Sequence, residues 1–248
     1  MVATPKRHQK RNQLIIHQIF LDIGKGTLQD RPHWIDNMAK IKKMNSNWKH
    51  ILWTDKKVDS FVNKYYPQYK GIINSFPNRM YLVDFVRYLI LHKMGGVYID
   101  LDVITIKRLP NVDYMIGRGR INTTKSFSLP NSKVSNNVIK LKTKEEYQSL
   151  IDFAIKEYTE IKKEKRWEGK PGRRFLWSVS ANMFGKFVRE SKIVSSINFY
   201  NYFKDFEARS WSKVINPKYA GGFRSRHKGK AIKAEQEPDD ELLKKNRR

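Results

Sequence analysis

Two aspartates stand two residues apart at the end of an apolar run, where they could bind a metal ion. Asp100 and Asp102 flank Leu101, and a strand is predicted over Val97–Leu101. Residues i and i+2 of a strand lie on the same side, so the two carboxylates are expected together. Neighbouring carboxylates raise each other's pKa unless a cation lies beside them. A hard divalent ion such as Mg²⁺ or Mn²⁺, completed by phosphate oxygens, would satisfy both.

A second charged pair lies in the segment before this run. The segment Tyr81–Met94 predicts a buried helix, because it is apolar almost all the way round and is followed by Gly95-Gly96. Asp84 and Arg87 are three residues apart and so share one face of that helix. Buried charges are costly unless they are paired or bind a polar group. Two interpretations stay open: a mutual structural salt bridge, or a polar face that lines a ligand pocket.

Alternating strands and helices are predicted to position these residues. The segments before the charged helix are predicted to be strands at Leu14–Phe20 and Trp48–Trp53 and helices at Pro32–Met44 and Val58–Tyr65. Further helices are predicted near Glu145–Lys163 and Trp177–Arg189. This order indicates an α/β sheet, in which ligands bind beyond the carboxyl ends of the strands. Asp100 and Asp102 stand at such an end.

Composition and charge narrow the class of protein. Of 248 residues, 40% are hydrophobic, which supports a packed core and excludes a low-complexity chain. The chain has no cysteine, and this excludes disulfides, thiolate metal sites and cysteine nucleophiles. With 50 Lys and Arg against 24 Asp and Glu, the net charge is +26. That charge favours a polyanionic partner: nucleic acid, an anionic membrane surface or a phosphate-bearing substrate.

The sequence predicts a protein without a transmembrane span. Its longest apolar stretches fall far short of the roughly 20 residues that a bilayer requires, and the basic N-terminus lacks the apolar stretch of a secretory signal. We therefore expect a soluble, cytoplasmic protein, such as one encoded by a virus or a bacterium. A lumenal domain of Golgi type trimmed of its anchor would look the same, and peripheral contact with an anionic membrane stays open.

The stretch Ser75–Leu109 resembles the DXD-containing sugar-binding region of family 32 glycosyltransferases. The family's Asp-x-x-Arg-Tyr appears at Asp84–Tyr88, and its Gly-Gly-x-Tyr-x-Asp-x-Asp appears at Gly95–Asp102. The segments Ile15–Phe20 and Trp48–Asp55 are similar to the family's first two strands. The resemblance covers about the first 110 residues of the chain.

This resemblance implies a GT-A fold, with a mixed, mostly parallel sheet flanked by helices. It implies a metal-dependent, retaining transfer of a hexose from a UDP- or GDP-sugar to a glycan or protein acceptor, with Mn²⁺ or Mg²⁺ as cofactor. One catalytic domain is expected at residues 1–222, with a donor-binding half at about 12–110 and an acceptor-side half at about 111–222. The charged tail at 223–248 is expected to be disordered.

The resemblance also implies roles for individual residues. Asp102 would bind the metal directly, and Asp100 would contact the metal's shell and the hydroxyls of the donor ribose or sugar. Asp84 and Arg87 would hold the transferred sugar. Tyr98 would support the strand and the diphosphate.

Aromatic residues outside this motif are expected to cover the rest of the donor. Phe20 would lie against the nucleobase. Ser210 and Trp211 resemble the C-terminal Ser/Trp element that closes over the diphosphate, although they are adjacent here and relatives space them as Ser-x-Trp. Asn182 could face the donor or be a plain helix residue, and Trp211 could equally belong to the core.

Two other functions fit the composition. A basic nucleic-acid-binding protein would need no catalytic carboxylates, and its affinity would fall steeply with salt. A metal-dependent phosphotransferase or nuclease could use the Asp100/Asp102 pair, although such sites usually gather more acidic ligands. Both leave the charged helix with Asp84 and Arg87 unexplained, so no specific nucleic-acid partner is expected.

Overall fold

A mixed sheet forms the centre of the molecule. The computed structural model describes residues 14–24, 26–118, 134–163 and 180–205. The main sheet contains the strands β1 (Ile15–Ile19), β2 (Lys49–Trp53), β3 (Val97–Ile99), β5 (Met115–Gly117) and β6 (Ser135–Lys140). The strands β4 (Val103–Thr105) and β7 (Phe203–Asp205) pair antiparallel in a second, two-stranded sheet.

The order of the main sheet is β2-β1-β3-β6-β5. The strand β1 lies parallel to both β2 and β3, whereas β6 is antiparallel to both of its neighbours. Four of these five strands therefore run in one direction. The predicted α/β class, with a mixed, mostly parallel sheet flanked by helices, is confirmed.

Helices cover the sheet and leave the carboxyl ends of β1, β2 and β3 at a common edge. The helices in chain order are α1 (Pro32–Met44), α2 (Asp55–Tyr65), α3 (Lys70–Asn74), α4 (Arg79–Met94), α5 (Lys144–Lys163) and α6 (Ala181–Glu190). Buried apolar residues form two clusters, and the larger one contains most of α4 together with residues of α5 and α6. The charged helix is thus held inside the molecule.

A glycine turn connects α4 to β3. Gly95 and Gly96 have φ angles of 65° and 86°, which side chains with a Cβ rarely adopt. A Cβ on Gly96 would also lie 2.5 Å from the backbone oxygen of Ile15. His17 supports the turn, since its Nδ1 accepts from Nε1 of Trp53 at 3.1 Å and its Nε2 donates to the oxygen of Gly95 at 3.0 Å.

Some predicted boundaries differ from the structure. The strand predicted to reach Leu101 ends at Ile99, and the charged helix begins at Arg79 rather than Tyr81. The last predicted helix is present as α6, which begins at Ala181 within the described residues. The tail at 223–248 lies outside those residues, and the division into two halves stays a prediction. None of the described helices combines the length and the apolar composition needed to cross a bilayer.

Candidate functional site

Asp84 and Arg87 form a buried ion pair on α4. Nη2 of Arg87 lies 2.7 Å from Oδ1 of Asp84, and only 3% and 9% of the two side chains are exposed. Their spacing of three residues brings them to one face, as expected for a helix. The mutual salt bridge that the sequence allowed is therefore present.

The guanidinium of Arg87 also joins the helix to the end of β3. Its Nη1 lies 3.2 Å from Oδ1 of Asp100, and the same nitrogen donates to the backbone oxygen of Asn136 at 2.7 Å. Its Nε donates to the oxygen of Val83 at 3.2 Å, and its carbon lies 4.4 Å from the centre of the Tyr98 ring. The buried guanidinium of Arg87 thus forms ion pairs with both Asp84 and Asp100.

In each of these two aspartates, a single carboxylate oxygen, Oδ1, makes all the described side-chain contacts. Oδ1 of Asp84 accepts from Nδ2 of Asn136 at 2.8 Å and forms the ion pair with Arg87. Oδ1 of Asp100 accepts from the Tyr98 hydroxyl as well as from Arg87. Among the described residues neither Oδ2 has a hydrogen-bond partner. Neither is among the fully buried polar atoms that lack a partner. Each carboxylate thus uses Oδ1 for its contacts with the other described residues.

Burial changes the acidity of this cluster. It raises the pKa of Asp84 from 3.8 to about 6, against the opposing effects of Arg87 and of the Asn136 amide. Burial likewise raises the pKa of Asp100, although Arg87 and the Tyr98 hydroxyl act in the opposite sense. For Arg87, burial lowers the pKa, but the acidic groups around it outweigh that effect and raise it. Arg87 therefore stays protonated, and its positive charge offsets the negative charge of the aspartates.

Asp102 lies in a turn, because the strand that was expected to reach Leu101 ends at Ile99. The turn is closed by a hydrogen bond of 3.1 Å from the nitrogen of Val103 to the oxygen of Asp100. Nδ2 of Asn37, on α1, donates to the backbone oxygens of Leu101 and Val103 at 3.0 and 2.6 Å. This contact turns the chain towards β4, so the argument from alternate strand positions is wrong. Asp102 is half-buried, two residues after Asp100.

Two asparagines of β6 complete the cluster and were missed by the sequence analysis. Asn136 contacts Asp84 and Arg87, and the backbone oxygen of Asn137 accepts from the nitrogen of Asp100 at 2.8 Å. Both side chains are buried. Two adjacent amides at the start of an apolar run are the signal that could have drawn attention to them, because buried polar groups need partners.

Phe20 follows β1 at the same edge of the sheet. Its nitrogen donates to the oxygen of Trp53 at 2.8 Å, and its ring meets that of Trp34 edge to face at 6.2 Å. Phe20 is half-buried. Parallel strands end at one edge, so Phe20 and Asp100 lie on the same side of the sheet.

The other candidate residues are not part of this cluster as described. Ser210 and Trp211 lie outside the described residues. Asn182 is half-buried in the first turn of α6. His17 holds the glycine turn, and burial lowers its pKa to about 4. Nδ1 of His92 shares a hydrogen bond of 2.6 Å with the Tyr66 hydroxyl.

The donor set at the turn is made of oxygen atoms. Across the ranges that the structure describes, His, Asp and Glu side chains do not gather in groups of three or more that could hold a metal. Asp100 and Asp102 offer hard carboxylate oxygens, which suit Mg²⁺ or Mn²⁺ if a ligand completes the shell. Such an ion fits this pair only together with a ligand that brings oxygens of its own.

Comparison with known proteins finds similarity over the region that contains Asp84, Arg87, Asp100 and Asp102. Residues 31–120 match the family model of a glycosyltransferase sugar-binding region containing a DXD motif. Inositol phosphoceramide mannosyltransferase 1 of Schizosaccharomyces pombe is 34% identical over 92 residues, which are 36% of this chain and 27% of that protein.

Two further proteins are similar to the chain. Mannosyl phosphorylinositol ceramide synthase SUR1 of Saccharomyces cerevisiae is 35% identical over 89 residues, 36% of this chain and 22% of that protein. Among solved structures, the PaToxG glycosyltransferase matches 72% of this chain and 69% of its own, with 14% identity and a TM-score of 0.44. The matched stretch is thus about a quarter of the length of either yeast protein. Residues 31–120 of this chain are thus similar to the DXD-containing sugar-binding region of glycosyltransferases.

Proposed function

We propose that the protein is a retaining glycosyltransferase that moves a hexose from a nucleoside diphosphate sugar to a carbohydrate or protein acceptor. One observation carries the proposal: within the matched region, Arg87 joins Asp84 to Asp100 through one oxygen of each carboxylate. Carboxylates held in this way accept hydrogen bonds from sugar hydroxyls.

The residues of the cluster would divide the donor between them. The outer oxygen of Asp84, Oδ2, would accept from the transferred sugar, and that of Asp100 from the sugar or ribose. Tyr98 holds Asp100 from within the strand and supports the diphosphate end of the site. Phe20 would lie against the nucleobase, because a half-exposed aromatic ring offers a flat apolar surface to a base. Ser210 and Trp211 stay candidates for covering the diphosphate.

A divalent ion fits the proposal through the chemistry of its ligands. Asp102 would hold Mn²⁺ or Mg²⁺ directly, and Asp100 would lie in its shell. When bound, such an ion would neutralise negative charge on the nucleoside diphosphate that leaves. The chain's own part is to fix Asp100 through Arg87 and Tyr98 and to fix the turn through Asn37.

The relatives suggest which donor to try first. The names of the two yeast proteins describe transfer of mannose to inositol phosphoceramide and synthesis of mannosyl phosphorylinositol ceramide. We infer that GDP-mannose is the first donor to test, followed by UDP-glucose, UDP-galactose and UDP-GlcNAc. A lipid-linked or glycan hydroxyl is the corresponding acceptor class.

Calorimetric titration tests the proposal. Each of the four donors is titrated into the full chain with Mn²⁺ and again with EDTA, and we expect one donor to bind only when the metal is present. Absence of binding by every donor, together with salt-sensitive binding to a DNA oligomer, would instead support the nucleic-acid-binding alternative. Cleavage of that oligomer in Mn²⁺ would support the nuclease alternative.

A further inference from the structure

Asn136 is a buried residue of β6 that contacts both members of the ion pair on α4. Its Nδ2 donates to Oδ1 of Asp84 at 2.8 Å, and its backbone oxygen accepts from Nη1 of Arg87 at 2.7 Å. Only 6% of the residue is exposed. One residue of the sheet therefore holds an anion with its side chain and the partner cation with its backbone.

The donors of Arg87 are nearly all in use. A guanidinium has five N–H groups, and four acceptors surround this one: Val83, Asp100, Asn136 and Asp84. A bidentate contact from Arg87 to a ligand would require it to release at least one of them. Arg87 can therefore give a ligand one hydrogen bond at most without releasing an acceptor, and further contacts have to come from the aspartates that it organises.

The amide of Asn136 determines which oxygen of Asp84 remains available. Because Nδ2 and Arg87 both approach Oδ1, the carboxylate is fixed by two donors on one atom. Without the amide, only Arg87 would orient it, and the carboxylate could rotate about its last bond. A carboxylate that can rotate presents its outer oxygen less often in the orientation that a ligand needs.

We propose that Asn136 is the positioning residue for sugar recognition, because it holds Asp84 and Arg87 so that the outer oxygen of Asp84 meets the hydroxyls of the donor sugar. The inference rests on the proposed glycosyltransferase function. It differs from the implication of the family resemblance, in which Arg87 itself would hold the sugar. Here Arg87 and Asn136 act through Asp84.

The substitution Asn136→Leu tests this role because leucine has a similar size and lacks the amide. The backbone contact to Arg87 remains in this variant, so only the side-chain contact is removed. Asn45→Leu is the matched control. Asn45 is also buried, at 1% exposure, and its amide bonds only to backbone groups of Ile41 and Leu109.

The experiment compares two ligands on the full chain in Mn²⁺: the nucleoside diphosphate and the corresponding nucleotide sugar. For Asn136→Leu we expect unchanged affinity for the nucleoside diphosphate. We expect about a tenfold loss in affinity for the nucleotide sugar, or in its turnover to free sugar, because a hydrogen bond to a charged group is lost. Asn45→Leu should lower the melting temperature and leave both ligands unaffected.

Each other outcome overturns the inference in a different way. Unchanged sugar affinity and turnover in folded Asn136→Leu would show that Asn136 positions nothing for the ligand. An equal loss for both ligands would show a general structural role. If the native chain binds neither the nucleoside diphosphate nor the nucleotide sugar, the proposed function fails, and the inference fails with it.

Discussion

Asp84 and Asp100 share one guanidinium but differ in their access to water. The side chain of Asp84 is 9% exposed, whereas 28% of the Asp100 side chain is exposed. A carboxylate with little access to water depends on its ion pair and hydrogen bonds to stay charged. Asp84 is thus the member of the pair whose charge depends most on Arg87 and Asn136.

Acidic pH should weaken sugar recognition through Asp84. Its pKa is raised from 3.8 to about 6, so the folded protein binds a proton there more readily than the unfolded chain does. The corresponding contribution to stability is complete below pH 3.8 and is lost as the pH rises through about 6. Because recognition needs the carboxylate, we expect affinity for the nucleotide sugar to fall as the pH drops below about 6.

Calorimetry at a series of pH values checks this expectation. The nucleoside diphosphate alone serves as control, since it lacks the hydroxyls that Asp84 would bind. The variant Asp84→Asn should bind the nucleotide sugar weakly at every pH. A sugar affinity that stays constant in the native chain between neutral pH and pH about 5 would contradict the assignment of Asp84.

Removal of one charge at the turn should abolish the effect of metal on donor binding. Asparagine is nearly isosteric with aspartate, so Asp102→Asn should keep the fold but lose a direct metal ligand. We expect Mn²⁺-dependent donor binding to disappear in calorimetry while circular dichroism stays unchanged. Transfer of sugar at the native rate by Asp102→Asn would refute the metal-binding role.

The residues of the cluster could be predicted only where local spacing determines their position. Asp84 and Arg87 face each other because three residues separate them on a helix. Asn136 lies 52 residues from Asp84 in the sequence, and only the pairing of β6 with β3 brings it close. No local periodicity encodes that contact. The acidic and basic members of the cluster were therefore predicted, and the amide that orients them was not.

The strands β5 and β6 meet at an irregular pair beside the site. The register shifts between Ile116 and Gly117, and the Asn137 side chain occupies the space next to Gly117. A Cβ on Gly117 would lie 2.0 Å from Oδ1 of Asn137 and 2.6 Å from the backbone oxygen of Ser135. Only glycine fits there, because the backbone atoms have no room to move.

The substitution Gly117→Ala should therefore destabilise the pairing of β5 with β6. We expect a loss of about 2 kcal/mol in the free energy of unfolding, measured by urea denaturation, together with weaker donor binding through β6. Gly71→Ala is the control, because Gly71 is exposed on α3 and a Cβ there meets nothing within 4 Å. Gly71→Ala should raise the free energy of unfolding by up to about 1 kcal/mol, because alanine favours the helix more than glycine does. Equal effects of the two substitutions would contradict this account.

Element boundaries were predictable where capping and periodicity agree. The helix α1 spans Pro32–Met44 as expected, since proline suits a first helical turn. The strand β3 is two residues shorter than predicted because Asn37 binds the backbone beyond it. The strands β4, β5 and β7 have three residues each and are defined by their partners. Runs of three residues carry too little pattern to be predicted on their own, and β3 was predicted because Gly95-Gly96 marks the end of the helix before it.

The excess positive charge belongs to the whole chain, and it predicts association with polyanions. At +26 the protein should bind a DNA oligomer at low salt without sequence preference. We expect that affinity to fall by orders of magnitude between about 50 and 200 mM salt, as measured by fluorescence anisotropy. Donor binding in Mn²⁺ should persist across the same range. Salt-sensitive DNA binding without any donor binding would instead favour the nucleic-acid alternative.

The class of the whole fold was predictable because alternation of strands and helices leaves few arrangements. The reversed direction of β6 was not, since it depends on pairing between Tyr98 and Ile139, 41 residues apart. Net charge and composition indicated the kinds of partner but carried no information about the order of the strands in the sheet. Sequence patterns thus gave the layers of the fold, and long-range pairing determined the order of its strands.

The position of β3 in the sheet limits how far the sugar-binding region can act as a module. Its two neighbours are β1 (Ile15–Ile19) and β6 (Ser135–Lys140), and both lie outside residues 31–120. A fragment of those residues alone would keep both aspartates of the turn but leave β3 with no strand on either side. Exchange of residues 31–120 between similar proteins therefore has to include the flanking strands. The structural unit is larger than the stretch that the family model matches.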